Sequence, residues 1–196
     1  MSSWSINTVV ASIVIAGLSM METASAGEPV VLFDGKTLDN WDVITCEAEV
    51  QDGAILLKSG NGLVQTKKRY ADYIFECEWK ALKAEGWDSG VYFRYDEVPE
   101  GRPWPQRYQV NLRVGMEGDL AGFKDGRNTI ATKPRDWNRF ELTVKGTTVA
   151  LKVNGKDAWK VDGLEQSSGF IALQSEVPGG GQFLFRNIRI TELAKD

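Results

Sequence analysis

The stretch GFIALQSEVPGGGQFLFRNIRI, residues 169–190, decides the fold class because it has the pattern of two strands joined by a glycine-rich turn. In the first strand Ile171 and Leu173 point to one side while Gln174 and Glu176 point to the other, since successive side chains of a strand alternate between faces. We therefore expect this strand to bury one face in the core and to present an amide and a carboxylate on a binding surface.

The second strand of the stretch carries a change of phase. Its apolar alternation slips by one residue at Arg186-Asn187 and then resumes. A single slip within a strong strand pattern predicts a β-bulge, which bends a strand and redirects its side chains.

Apolar alternation and turn residues continue through most of the chain at a spacing of roughly 8–12 residues, which is typical of a β-sandwich or jelly roll. No segment keeps a helical period over several turns. The chain is therefore predicted to be nearly all β. The other predicted strands are residues 54–58, 63–66, 72–82, 90–96, 107–114, 138–145, 148–153 and 156–161.

Two long segments, residues 97–106 and 117–133, interrupt the strand pattern and are rich in glycine, proline and charge. Long loops in compact domains are commonly functional or disordered. Both segments flank the predicted strand 107–114, so we expect them to border a common site.

The first 26 residues have the pattern of a secretory signal peptide. An apolar run, residues 9–21, is followed by Ala24-Ser25-Ala26. The run is shorter than the roughly 20 residues that a membrane span needs. A retained membrane anchor stays open as an alternative, because no Lys or Arg precedes the run. We predict export to the periplasm or the extracellular space, and no membrane contact for residues 27–196 after cleavage.

The composition indicates one soluble globular domain. The chain is 42% hydrophobic and 26% charged, with a net charge of -4. About 170 residues remain after the signal peptide, enough for a single core. The negative charge and the absence of a long Lys/Arg cluster argue against a nucleic-acid partner.

The two cysteines, Cys46 and Cys77, allow two interpretations. An oxidising compartment permits a disulfide between them. The alternative is two unpaired thiols, with Cys77 facing the core in phase with the aromatic residues around it. Two thiols without any histidine are too few soft ligands for structural zinc.

Most catalytic signatures are absent. The chain has no histidine, which excludes Ser-His-Asp and Cys-His arrangements and histidine-based metal sites. Glu117, Asp119 and Asp125 have ligand types that suit calcium, but such spacing is common in solvated loops. We predict no metal and no cofactor.

Several predicted strands oppose a polar face to an apolar one. If these strands share a sheet, the polar faces merge into a surface of amides, guanidinium groups, carboxylate and phenol. Such groups suit a polyhydroxylated ligand, since each makes more than one hydrogen bond. An ordinary solvated sheet face is the alternative. The candidate binding residues are Tyr92, Arg94, Gln109, Asn111, Arg113 and Gln174, with Trp87 and Trp104 placed to stack on a sugar ring.

Seven short motifs recur in order along residues 31–193. They are LFDGKTLDNW (32–41), DG (52–53), DSGVYFR (88–94), WN (137–138), NG (154–155), LQSE (173–176) and FRNIRI (185–190). Together they resemble the 3-keto-disaccharide hydrolase family, also described as the 3-keto-glucoside 1,2-lyase and 3-keto-2-hydroxyglucal hydratase domain. The resemblance implies a concanavalin-like jelly-roll β-sandwich of two antiparallel sheets, and many such domains occur in exported bacterial proteins.

One departure from the family pattern bears on catalysis. Where the family usually has Y-E-x-Q, this chain has Tyr108-Gln109-Val110-Asn111. An amide can hydrogen-bond a sugar but cannot exchange a proton near neutral pH. Some members have Asp-His after Leu-Gln, whereas this chain has Ser175-Glu176.

The resemblance implies cleavage of 3-keto-glucosides by abstraction of the C2 proton, elimination of the glycosidic oxygen and hydration of the product. It also implies a sugar 3-dehydrogenase that makes the 3-keto substrate. Glu176 is the predicted base, with Asp88 or Lys124 assisting. Arg94, Gln109 and Asn111 are predicted to stabilise the enolate. The alternatives are a non-catalytic carbohydrate-binding module on the same face and a structural exported domain.

Overall fold

The computed structural model describes Met1 and residues 27–194 of the chain. Residues 2–26, which make up nearly all of the predicted signal peptide, lie outside the described part, so that prediction stays a prediction. Within the described residues, no helix has the length and apolarity to cross a bilayer.

The described residues form 11 strands and no helix. All strand pairs are antiparallel, which confirms the all-β prediction. The strands are β1 (Val30–Val31), β2 (Trp41–Gln51), β3 (Ala54–Thr66), β4 (Tyr73–Ala81), β5 (Gly90–Tyr95), β6 (Gln109–Asn111), β7 (Asn138–Lys145), β8 (Thr148–Val153), β9 (Lys156–Asp162), β10 (Phe170–Val177) and β11 (Phe183–Glu192).

Hydrogen bonds join these strands into one curled sheet with the order β6-β5-β10-β3-β11-β4-β7-β8-β9, while β1 pairs with β11 and β2 with β3. The prediction of two separate sheets is not confirmed. The sheet divides at β3, because residues 55–57 pair with β11 and residues 60–65 pair with β10. We call β10, β5 and β6 the first arm, and β11, β4, β7, β8 and β9 the second arm.

The length of β3 corrects one sequence prediction. The sequence pattern predicts two strands, 54–58 and 63–66, separated by residues 59–62 (SGNG), but these four residues lie within one continuous strand. Position 62 requires glycine because the backbone of β2 approaches it closely: a Cβ on Gly62 would lie 2.0 Å from the carbonyl oxygen of Ile44. A glycine inside a strand can mark close approach of another backbone as well as a turn.

Other predicted bounds agree with the structure more closely. β7 and β8 have the predicted limits, and the predicted bulge in β11 is confirmed by a register shift between Arg186 and Arg189. The predicted strand 107–114 is shorter, because β6 covers only Gln109–Asn111.

The sequence pattern does not predict β2. It pairs only with β3, and its polar residues suit an edge strand.

The hydrophobic core lies between the two arms, and large aromatic side chains fill it. Trp159 of β9 closes the far end of the fold, because its indole Nε1 donates to the carbonyl oxygen of Gly118, after β6, at 2.7 Å. The final strands of the two arms are thereby tied together. Fully buried aromatic residues from both arms are Trp79, Tyr73, Phe75, Phe93, Tyr108, Phe140, Phe183 and Phe185.

Arg94 is buried and joins the two arms, whereas the sequence pattern places it on the exposed polar face with Tyr92. Its side chain is 0% exposed and pairs with Asp72 at 2.7 Å, before β4. The same guanidinium donates to the carbonyl oxygens of Ala71, Gly146 and Gln166 at 2.5–3.0 Å. The prediction that Arg94 binds substrate is wrong, since these partners occupy its donors inside the protein.

A bulge explains why the sequence pattern misplaced Arg94. β10 pairs Phe170 with Tyr95 and Ile171 with Phe93, so that Arg94 has no partner in the register. Its φ of 47° lies in the left-handed region, which is uncommon for an arginine. The bulge breaks the alternation and separates Arg94 from Tyr92, which stays on the polar face.

The cysteines are not bonded to each other, so the disulfide interpretation is wrong. Cys77 is buried in β4 opposite Phe140, and burial raises the pKa of its thiol. Cys46 is half-buried in β2, where its Sγ lies 3.5 Å from the carbonyl oxygen of Leu63. The prediction that Cys77 faces the core is confirmed.

We predict that Arg94→Met lowers the free energy of unfolding by about 3 kcal/mol or more, because three carbonyl groups lose the guanidinium and the Asp72 carboxylate loses its charged partner, keeping the backbone N–H of Gly146. Urea denaturation measures the change. The matched control is Arg107→Met, whose partner Glu165 is 72% exposed, and a loss below about 1 kcal/mol is expected there. Equal losses in the two variants would contradict the role assigned to Arg94.

Candidate functional site

The candidate site lies on the outer face of the first arm. Register places Tyr92 of β5 beside Gln109 of β6 and beside Ala172 of β10. Along β10, Gln174 and Glu176 follow on the same face as Ala172, opposite Leu63 and Asn61 of β3. Ile171 and Leu173 are buried in the core as predicted.

Two amides connect β6 to the carboxylate. The Nε2 of Gln109 donates to Oε1 of Gln174 at 2.6 Å, and the Nε2 of Gln174 donates to Oε2 of Glu176 at 2.9 Å. We call this series the amide chain. Each amide donates from its NH2 group to the next residue. The amide chain therefore ends in a donor to Glu176, which fixes the orientation of that carboxylate.

The turn after β10 brings a second carboxylate to the site. The backbone N–H of Gly180 donates to the carbonyl oxygen of Glu176 at 2.5 Å, and the N–H of Asp88 donates to the carbonyl oxygen of Gly180 at 3.0 Å. Ser89 is buried and its hydroxyl donates to the carbonyl oxygen of Gln174 at 2.7 Å. Backbone bonds thus hold Asp88 beside β10.

Both carboxyl groups have raised pKa values. Burial raises the pKa of Glu176, the negative charge of Asp88 raises it further, and Arg113 opposes the shift. Burial also raises the pKa of Asp88, again opposed by Arg113. Burial, Asp88 and Glu176 all raise the pKa of the Tyr92 phenol. The three groups therefore lie in one electrostatic neighbourhood, which is typical of an acid–base site.

Arg113 supplies the positive charge of this site. Its Nε lies 3.9 Å from Oδ2 of Asp88. Asn111 positions the turn that carries Arg113, since its Oδ1 accepts a hydrogen bond from the Arg113 backbone N–H at 2.7 Å. Asn111 therefore contacts the backbone of a site residue, Arg113.

The loop 97–106 borders the same face. The indole Nε1 of Trp104 donates to the carbonyl oxygen of Ser175 at 3.1 Å, between Gln174 and Glu176 in the chain. A pocket of about 540 Å³ lies between Tyr92 and this loop. The sequence pattern predicts that the loops 97–106 and 117–133 border a common site, but only the first loop contributes to this pocket. Its lining residues are Tyr92, Arg102, Pro103, Trp104, Pro105 and Gln106.

Two further predicted site residues lie elsewhere. Trp87 is buried in the main core and its Nε1 donates to Glu117 at 3.1 Å, so its ring cannot stack on a ligand as predicted. Lys124 is exposed on a turn, and none of the described contacts joins it to Glu176 or Asp88. A catalytic role for Lys124 therefore has no support in the geometry.

The calcium alternative has no support in the described residues, where no group of three or more acidic, cysteine or histidine side chains could hold a metal. Glu117 accepts hydrogen bonds from Trp87 and from the backbone N–H of Gly115. Asp119 accepts one from the backbone N–H of Asn128. These carboxylates shape their loop.

Sequence reasoning missed the part played by Ser89 and Gly90. A Cβ on Gly90 would lie 2.4 Å from Nε2 of Gln109, so only glycine leaves room for the start of the amide chain. The signal was a glycine at the beginning of a strong strand pattern, which marks a close approach.

A comparison with known protein families shows the family to which the chain belongs. Residues 28–191 match the 3-keto-α-glucoside-1,2-lyase-like domain. The chain belongs to this family. Membership confirms the predicted resemblance and indicates a carbohydrate-active protein. No curated protein sequence matches the chain.

Solved structures share the fold at low sequence identity. A candidate glycosyl hydrolase from Parabacteroides distasonis has a TM-score of 0.68 at 19% identity, covering 85% of this chain and 94% of the other. The carbohydrate-binding module CBM66 from Bacillus subtilis has a TM-score of 0.58 at 11% identity, covering 76% and 93%. A Bacillus subtilis protein of unknown function with a galectin-like fold has a TM-score of 0.61 at 11% identity, covering 88% and 98%. These similarities establish the fold alone.

We predict opposite shifts in the pKa of Glu176 when its charged neighbours are removed. Asp88→Asn should lower it, because a neighbouring negative charge is lost, and Arg113→Ala should raise it, because a neighbouring positive charge is lost. Carbon-13 NMR titration of the Glu176 carboxyl measures both. Arg127→Ala serves as the control for Arg113, since Arg127 pairs with Asp119. Shifts of the same sign in both variants would contradict the electrostatic arrangement.

Proposed function

We propose that this protein cleaves the glycosidic bond of 3-keto-glucosides at the outer face of the first arm. The observation that carries the proposal is the half-buried Glu176, which has a raised pKa, an amide donor on one oxygen and a like-charged neighbour in Asp88. A base with a raised pKa is suited to proton abstraction near neutral pH. Family membership supplies the reaction class.

The chemistry needs only a modest base, because the 3-keto group acidifies the hydrogen on C2. Glu176 takes this proton, and the electron pair of the C2–H bond forms an enolate that extends to the keto oxygen. Arg113 is the cation placed to stabilise the enolate, in place of Arg94. The C1–O bond then breaks as the C1–C2 double bond forms.

The leaving oxygen needs a proton, and Tyr92 is placed to supply it. Its raised pKa keeps the phenol neutral until the alkoxide forms. Hydration reverses these roles: water gives a proton to the Tyr92 phenolate and its hydroxide to C1, while Glu176 returns its proton to C2. The products are 3-keto-glucose and the free alcohol, and both residues regain their starting protonation.

We also propose that the chain acts outside the cytoplasm, on the basis of the apolar run and the A-x-A site near its start. Its substrate would then come from a dehydrogenase that oxidises the C3 hydroxyl of a glucoside. This assignment rests on the family's chemistry.

A carbohydrate-binding module without catalysis is the second candidate function. The amide at Gln109, in place of the family's usual carboxylate, favours it, because an amide binds sugars but does not transfer protons. This module would use the same face and bind unoxidised sugars as well as 3-keto sugars.

We predict that Glu176→Gln lowers kcat for 3-keto-trehalose by about 100-fold or more, because a general base contributes 10²–10⁴-fold to such a step. Release of glucose measures turnover, and calorimetry on the variant measures binding. Glu165→Gln, in the exposed pair with Arg107, is the control. Unchanged turnover in Glu176→Gln would disprove the assignment of the base, and binding by the native protein without any release would favour the module.

The pH profile provides an independent prediction. Activity requires the carboxylate form of Glu176, and its pKa lies above the ordinary value of 4.5. We therefore expect kcat/KM to fall with decreasing pH through a midpoint above 4.5. Since the fold disfavours the charged form, Glu176→Gln should not lower the melting temperature at pH 7. A midpoint below 4.5 would contradict the site described.

A further inference from the structure

We propose that Asn61 of β3 binds the C2 hydroxyl of the sugar ring from which Glu176 removes the C2 proton. This assignment rests on the proposed function and adds to it a residue that determines specificity at C2. The family motifs along the chain do not include Asn61, and the amide chain does not reach it.

Asn61 lies beside Glu176 on the outer face of the first arm. The two residues are directly opposite each other in the antiparallel pair of β3 and β10, so their side chains point to the same face with Cβ atoms about 4.5–5.5 Å apart. Asp88 precedes β5, which pairs with the other edge of β10. Glu176 therefore has Asp88 on one side and Asn61 on the other.

The side-chain amide of Asn61 is free to bind a ligand. Asn61 is exposed, and no hydrogen bond joins its amide to any residue in the described part of the chain. The next two outer-face residues of β3 differ, because Leu63 is fully buried and Gln65 accepts a hydrogen bond from the hydroxyl of Tyr95 at 2.7 Å. Among these three outer-face residues, Asn61 alone keeps all of its amide donors and its acceptor available.

The backbone that carries Asn61 is held on both sides. β2 approaches so closely that a Cβ on Gly60 would lie 3.0 Å from the Cα of Cys46. The hydroxyl of Thr45, also in β2, donates to the carbonyl oxygen of Asn61 at 3.0 Å. β10 pairs with the opposite edge of β3. A side chain on such a fixed strand is placed more accurately, and loses less entropy on binding, than one on a loop.

The geometry of the reacting carbon assigns the remaining contact. When the C–H bond of C2 points at Glu176, the other three bonds of this carbon lead to the keto carbon, to C1 and to the C2 hydroxyl. In the proposed reaction Arg113 stabilises the keto oxygen and Tyr92 protonates the oxygen on C1. Tyr92 lies in β5 and Arg113 follows β6, both on the Asp88 side of β10. The C2 hydroxyl is therefore left to face β3 and Asn61.

An amide suits a hydroxyl in this position because it has both a carbonyl acceptor and an NH2 donor. The hydroxyl donates to Oδ1 of Asn61 or accepts from its Nδ2. A carboxylate at position 61 would add a third negative charge beside Glu176 and Asp88 and would disfavour the ionised base. The neutral amide binds the hydroxyl without this effect.

The test compares methyl 3-keto-α-glucoside with its 2-deoxy analogue, which keeps a hydrogen on C2 but lacks the hydroxyl. Release of methanol measures turnover. Asn61→Leu preserves the size of the side chain and removes its hydrogen bonds. In this variant we expect the ratio of kcat/KM values, hydroxyl over deoxy, to fall about tenfold from its native value. Comparing the two ratios cancels the intrinsic difference in reactivity between the substrates.

The matched control is Gln51→Leu. Gln51 is another exposed amide of the same hairpin, but it lies opposite Ala54, beside the turn that joins β2 to β3. This variant should keep the native ratio. An equal loss for both substrates in Asn61→Leu would overturn the proposal, because it would indicate a structural effect, and an unchanged ratio would overturn it as well.

Failure of the native protein to cleave either substrate would instead refute the proposed function. Calorimetry with methyl α-glucoside and methyl 2-deoxy-α-glucoside then tests Asn61 as a sugar contact. A preference for the hydroxyl compound that Asn61→Leu abolishes would support the assignment of Asn61. Equal affinities, or the absence of binding, would reject it.

Discussion

The buried guanidinium of Arg94 is the constraint on which the arrangement of the two arms depends. It emerges from a bulge in β5 and binds backbone carbonyl groups just before β4 and in the turn between β7 and β8. A buried charge is costly unless its donors are satisfied, so only one relative position of the arms satisfies it. By turning inward, Arg94 also leaves Tyr92 on the outer face, where the acidic side chains meet. A structural requirement thereby defines one edge of the candidate site.

The remaining constraints act through backbone contacts. Gly90 leaves space for the side chain of Gln109, and Gly180 links Asp88 to β10 through two hydrogen bonds. The site is therefore assembled from strand register and a turn, and its charged groups converge because the backbone brings them together. Burial by the surrounding strands raises the pKa of both carboxyl groups, and the negative charge of Asp88 raises that of Glu176 further. The same backbone contacts that hold the fold therefore bring the proposed base, Glu176, close to Asp88.

Alternation along the strands was sufficient to predict the all-β fold, the core face of β10 and the bulge in β11. It also selected Tyr92, Gln109, Gln174 and Glu176, since each lies on a regular strand whose period is two. It failed at Arg94 and at residues 59–62, because a bulge and a close backbone approach depend on neighbouring strands and not on the local period. The prediction that Trp87 stacks on a sugar failed for a related reason. A loop tryptophan is equally compatible with a core and with a surface until the tertiary contacts are known.

The amide of Gln109 and the carboxylate of Glu176 are complementary, because Gln174 joins them by one hydrogen bond to each. Gln174 has one acceptor and one NH2 group, and it accepts from Gln109 while donating to Glu176. A carboxylate at position 109 can only accept, so it would require the NH2 group of Gln174 and would turn the amide oxygen toward Glu176. Two acceptors would then face each other. The departure of this chain from the family's usual Y-E-x-Q therefore directs a donor to the single carboxylate that the proposed reaction uses as its base.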